Sequence, residues 1–257
     1  MGIMYNEVAK ESELWLNHAE QMHVWSLTGS LEYVVERVKS LEKETAPWLG
    51  KDADFTKLEL ASAYDIAQLR LASNELYINN RSVWISENIN YFPKEKKVVI
   101  AAKRNNPILK GSNPALATYC HRQGRELELE ENIAKSLYDL AEKDIAKAKR
   151  SGALLLSEIP SFIPSNRLSE EAISIFLFGD LAKEYGLFLK KHGIKSVPIH
   201  VLKREAFCTV DKPFAKPFLL TGLKEGSAIV GDNGNLCSIA SLFYAVRRIY
   251  FNGHGNV

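Results

Sequence analysis

Cysteine is scarce in this chain. The three present, Cys120, Cys208 and Cys237, are an odd number without framework spacing. They read as thiols of a reducing compartment, not as a disulfide scaffold. Long apolar runs are missing as well: no stretch approaches the ~20 apolar residues of a membrane helix. "MGIMYNEVAKESELW" lacks the basic, apolar, small-residue order of a secretory signal. Its Met-Gly start carries Asn6 where a myristoylation signal has Ser or Thr. The expectation is a cytoplasmic protein with no membrane partner. An excess charge of one sign is also absent. Against 31 Asp and Glu stand 33 Lys and Arg, a net +2, too little to steer the whole molecule to nucleic acid.

Metal and phosphate signatures are lacking too. There is no CxxC, HExxH or HxH, and His18 and His23, five apart, fall on different faces of a helix. Gly222, Gly226, Gly231 and Gly234 make neither GxxxxGK[ST] nor GxGxxG. "VVIAAKR" is similar to the second half of a nuclease signature, but Ala101 stands where the metal-binding acid belongs. No repeat of fixed period is visible.

What is present suits a globular chain. Hydrophobic residues are 46% and charged residues 25%, enough apolar surface for a sizeable core. The 257 residues admit one domain or two intimate ones. "EVAKESELWLNHAEQMHVW" reads as helix. Ser30 is placed to cap a second helix, "LEYVVERVKSLEKE", stopped near Pro47. Thr56 with Glu59 fits a capping box before a helix with Leu60, Tyr64, Ala67 and Leu71 on one stripe. "RSVWIS" and "KKVVIAAK" read as antiparallel strands around a loop, "ENINYFPKE". A long helix over about 129–150 carries Ile133, Leu137, Leu140, Ala141 and Ala148, with acids at its start and bases at its end, matching the dipole. "AISIFLFGDLAKEYGLFLKKHGIKSVPIHVL" parses as strand, helix, strand: Ile173 to Phe178, about Leu181 to His192, then Ser196 to Leu202. The competing parse is one long helix from Ser169 to His192 containing Gly179 and Gly186. The expected class is α/β (or α+β). A helical N-terminal part, 1–78, precedes an α/β part, 79–257, with a partly parallel sheet, and the two are compatible with one continuous domain.

Two apolar runs end in Gly-Asp: "IFLFGD" at Asp180 and "SAIVGD" at Asp232. In open α/β sheets, ligands bind beyond the carboxyl ends of strands. Asp180 and Asp232 are therefore candidate catalytic residues and ligands for Mg2+. Asn233, Gly234, Asn235 and Ser238 would present donors to a small anionic, nucleotide-like ligand. The plainer alternative is a helix cap at Asp180 and an Asx-turn at Asp232.

Asn235 would cap a helix whose stripe is Leu236, Ile239, Ala240, Phe243, Val246 and Tyr250, leaving Cys237 near its N-terminus, where a thiolate is stabilised. Cys237, Ala240, Leu242, Phe243, Ala245 and Arg247 resemble the nucleophile helix of transglutaminase-like cysteine hydrolases. The resemblance covers about a dozen residues and implies Cys237 as nucleophile. Those enzymes need a downstream His and acid. Only His254 follows, with no acid after it. A third reading is a nucleic-acid interface over 94–125, where Lys94, Lys96, Lys97, Lys103, Arg104, Lys110, Arg122 and Arg125 alternate with Tyr91, Phe92 and Tyr119. The sequence is compatible with a homo-oligomer.

Overall fold

The computed structural model describes residues 10–17, 20–45, 53–73, 76–123, 125–144, 152–231 and 241–251. Strands β1 (Lys10–Asn17) and β2 (Glu20–Thr28) precede helix α1 (Leu31–Thr45). Short strands β3 (Ala53–Phe55) and β4 (Glu59–Leu60) lead to α2 (Ala63–Ala72) and α3 (Leu76–Asn79). The hairpin β5 (Val83–Phe92) and β6 (Lys97–Ala101) is followed by α4 (Asn113–Arg122), β7 (Leu127–Glu128), α5 (Glu131–Asp144) and β8 (Ala153–Leu156). Then come β9 (Phe162–Pro164), α6 (Ala172–Phe178), α7 (Ala182–Lys191), β10 (Ser196–His200) and α8 (Arg204–Phe207). Strands β11 (Phe214–Leu220), β12 (Ile229–Val230) and β13 (Leu242–Phe251) complete the described chain.

The strands form a mixed sheet with the order β1-β2-β13-β5-β11-β12-β10-β9. Strand β13 is inserted between β2, its antiparallel partner over Leu242–Tyr250, and β5, which it meets in parallel at Phe243 and Trp84. Strands β10 and β12 are also parallel. The class is thus mixed α/β with a partly parallel sheet.

Helices cover both faces, and side-chain alternation along each strand divides the core in two. Met22 and Val24 of β2, Ile85, Ile89 and Tyr91 of β5, and Tyr244 and Val246 of β13 pack with α2, α6 and α7. Trp25 and Leu27, Trp84 and Phe92, and Phe243 and Ala245 pack on the other face with α1, α4 and α5. Every residue of β5 is buried, as expected of a strand covered on both sides.

Several sequence expectations hold. Helix α1 begins where Ser30 was placed as cap, its Oγ accepting the Tyr33 N–H at 3.4 Å. Helix α5 buries Leu137 and Ala141. Others are corrected. "KESELWLN" and "EQMHVWSLT" are strands: β2 has β1 on one edge and β13 on the other, and its two faces are buried in the two halves of the core. "ENINYF" continues β5, and only residues 93–96 turn. The capping box lies at Ser62 and Asp65 instead of Thr56 and Glu59. Ile173–Phe178 lies within α6, not in a strand. Gly179, at φ 58°, joins it through a 3-10 turn to α7. β10 already has β9 and β12 as partners, and the run is buried against α2 instead. The expected helix over 236–250 is, from Leu242 onward, the strand β13.

Candidate functional site

Strand β5 carries four buried polar residues, Ser86, Glu87, Asn88 and Asn90. Here its register with β11 slips: Pro217 faces Asn88 but Leu219 faces Trp84, so Ile85–Glu87 oppose Phe218 alone. Such bulges re-aim side chains. The Ser86 N–H pairs with the Ala61 carbonyl at 2.9 Å. Glu87 thereby meets the start of α2, where its carboxylate oxygens accept the Ala63 N–H at 3.1 and 3.3 Å. A helix N-terminus favours an anion there.

The same helix start is closed by Ser62 and Asp65. Asp65 accepts the Ser62 N–H at 2.8 Å and its hydroxyl at 2.6 Å, while Ser62 Oγ accepts the Asp65 N–H at 3.2 Å. Arg248 of β13 donates to Asp65 at 2.5 Å, Glu20 at 2.6 Å and Gln68 at 2.7 Å. Lys103, beyond the carboxyl end of β6, pairs with Glu59. Glu59, Ser62, Asp65, Glu87, Lys103 and Arg248 line a cleft of about 410 Å3, with Lys57 and Arg104 also on its wall.

Burial pushes the Glu87 carboxyl up to about 7, against the lowering effect of the Ala63 N–H; nearby Asp65 adds to the rise. A carboxyl titrating near neutrality in a cleft is a functional candidate. Burial also pushes Asp65 up, but Arg248 and the Ser62 donors outweigh it and hold Asp65 below its usual range. Desolvation lowers Arg248, while Asp65 and Glu20 raise it further, for a net rise.

Of the sequence-derived catalytic and small-ligand candidates, only Asp180 lies among the described residues. Asp180 is exposed in the turn between α6 and α7, with no strand before it. The expectation that both Gly-Asp turns follow strands of one sheet is corrected at Asp180. Asp232, Asn233, Gly234, Asn235, Cys237 and Ser238 lie outside the described residues. The run before Asp232 does end a strand, β12, and the Gly231 N–H donates to the His200 carbonyl at 2.7 Å. Among the described residues, no group of three or more His, Cys, Asp and Glu is placed to hold a metal ion.

Leu242, Phe243, Ala245 and Arg247, part of the nucleophile-helix resemblance, lie on strand β13. Arg247 is bonded to α1 through Glu42 and Thr45. The basic segment is divided: Lys94 and Lys96 sit in the turn before β6, Lys103 and Arg104 beyond its other end, and Arg125 after α4. Glu87 and Arg248 were missed. The available signal was a run of polar residues, "SEN", directly continuing the β-rich "VWI".

No protein-family model matches the chain, and no curated protein matches it in sequence. A solved structure described as the accommodation of massive sequence variation in Nanoarchaeota by the C-type lectin fold is similar to it. The match covers 93% of this chain and 100% of that one, with a TM-score of 0.55 and 13% identity. At that identity the likeness is one of fold. No helix among the described residues is long and apolar enough to cross a membrane.

Proposed function

We propose that this protein binds a small anionic molecule in the cleft over Glu87, as a sensor or carrier of that ligand. The reading rests on one observation. Lys103 and Arg248 are engaged by carboxylates, whereas Lys57 and Arg104 line the same cleft without an ion-pair partner among the described residues. Two free cations above a carboxyl that holds its proton to about pH 7 suit a ligand with an anionic group and a further acceptor. The cations would fix the charge and the protonated Glu87 would donate to the acceptor. A fold supports many functions. The likeness to the Nanoarchaeota protein therefore adds only a framework on which very different surfaces are carried.

Calorimetric titration with inorganic phosphate, citrate and AMP tests the reading. At least one should bind saturably, weaken with added salt, and bind about tenfold more weakly to the Lys57→Ala/Arg104→Ala double variant. Equal binding by the double variant, or no saturable binding of any of the three anions, would remove the proposal.

A further inference from the structure

A larger cavity, of about 720 Å3, lies at the opposite end of the β5–β6 hairpin, between its turn, the start of α5 and the segment before β11. We propose that this cavity binds an organic cation with an aromatic or branched-alkyl body, a ligand different in charge from that of the Glu87 cleft. Its floor is apolar and aromatic. Phe92 is buried and meets the Tyr138 ring edge-on, with centroids 5.2 Å apart. Leu129, Ala134 and Pro213 complete that surface.

The wall is acidic. Six carboxylates line the cavity against three ammonium groups. One of those ammonium groups, Lys212, is already taken by Glu128 at 2.8 Å. Glu131 stands in the first turn of α5, where the helix dipole by itself accounts for an acid. No such account covers Glu95, Asp139 or Asp211, which stand in the hairpin turn, in the second half of α5 and before β11. None of these three has an ion-pair partner among the described residues.

The Tyr138 ring already attracts one cation of the chain. Lys97 Nζ lies 5.8 Å from the Tyr138 ring centroid, within the range in which a ring quadrupole attracts an ammonium. An aromatic floor beneath a carboxylate rim is the combination that holds alkylammonium groups. The half-buried Tyr138 ring would supply a weakly hydrated cation with contact area, and the carboxylates would supply charge without a demand for close hydrogen-bond geometry. An anion would meet the rim with the wrong sign, and a neutral molecule would gain only the floor.

Titration calorimetry with phenyltrimethylammonium, benzyl alcohol and benzoate separates these cases. Phenyltrimethylammonium should bind at least about tenfold tighter than benzyl alcohol, and benzoate weakest of the three. Tyr138→Leu, which keeps an apolar side chain and removes the ring, should weaken the cation about tenfold. The double variant Glu95→Gln/Asp211→Asn changes two exposed side chains, so folding is spared. It should weaken the cation about threefold or more and flatten the salt dependence. Equal binding of benzyl alcohol, unchanged affinity in the double variant, or no saturable binding of phenyltrimethylammonium to the wild type would overturn the proposal. None of these outcomes depends on Lys57 or Arg104.

Discussion

Arg247 and Arg248 are neighbours on β13 and tie opposite faces of the sheet to different helices. Arg247 reaches α1, donating to Glu42 and, at 2.8 Å, to Thr45. Arg248 reaches α2 through Asp65 and Gln68, and β2 through Glu20. Strand alternation sends consecutive side chains to opposite sides, so two adjacent residues clamp both layers of helices to one strand.

Replacing Arg248 by Met should therefore be costly. Glu20 and Asp65, only 19% and 13% exposed, would lose their shared partner, and roughly 3 kcal/mol of stability at pH 7 should be lost. Asp65 is held below its usual range. Its contribution is therefore complete above the unfolded-state value of 3.8 and is lost as pH falls through the lower folded value. Urea unfolding of wild type and variant should show the difference at pH 7 and its narrowing below about pH 4.

Glu87 has the opposite sign. Its carboxyl rises from 4.5 to about 7 on folding, so between those values the unfolded chain has released a proton that the folded chain keeps. Stability therefore falls as pH rises through that window and levels off above it. Glu87→Gln preserves an acceptor for Ala63 and removes the titration. The variant should match wild type near pH 4 and be more stable at pH 8, by up to about 3 kcal/mol. An equal difference at both pH values would show that Glu87 does not titrate in this range.

Arg70 is fully buried and, among the described residues, donates to neutral acceptors alone: Tyr185 Oη at 2.8 Å, Ser227 Oγ at 3.1 Å, and the carbonyls of Arg81 and Thr221 at 3.1 and 2.9 Å. A lysine cannot reproduce this fork. Arg70→Lys should cost roughly 3 kcal/mol or more, whereas Tyr185→Phe, which removes one acceptor, should cost about 1 kcal/mol. Comparable losses for the two in denaturant titrations would mean that the fork geometry is unimportant.

Gly186 lies inside α7, where alanine would ordinarily stabilise a helix by about 1 kcal/mol. Here an added Cβ would stand 2.1 Å from the Ser165 carbonyl oxygen. Backbone, not a flexible side chain, is in the way. Gly186→Ala should therefore lower the melting temperature, with a cost of about 1–3 kcal/mol.

What could be read before any coordinates were elements whose signals are local. Ser30 before "LEYVVERVKSLEKE" specifies the start of α1 through a bond three residues long. The periodicity over Ile133–Ala141 specifies α5 and "KKVVIAAK" specifies β6, whereas the partner of β6, Asn88–Phe92, lies in the stretch that reads as a loop. Glu87 was not legible as a site residue. Its significance comes from a register slip against β11 and from the Ala63 N–H, 24 residues away in sequence.

The apolar stretches were decided by tertiary structure alone. "AISIFLF" and "LFYAVRRIYF" are both mainly apolar without a clean period of two or 3.6, and such runs do not distinguish a buried helix from a buried strand. The first became α6 because the neighbouring strand positions beside β10 are filled and a surface over α2 was open to it. The second became β13 because β2 pairs with one of its edges along Leu242–Tyr250, while β5, β4 and β3 in turn supply partners along the other. The sequence by itself determined the amount of apolar surface, the start of α1 and the helical character of α5. The backbone partners available in the folded chain decided which apolar run would be helix or strand, since a buried N–H or C=O must find a partner and only the assembled sheet shows where one is left.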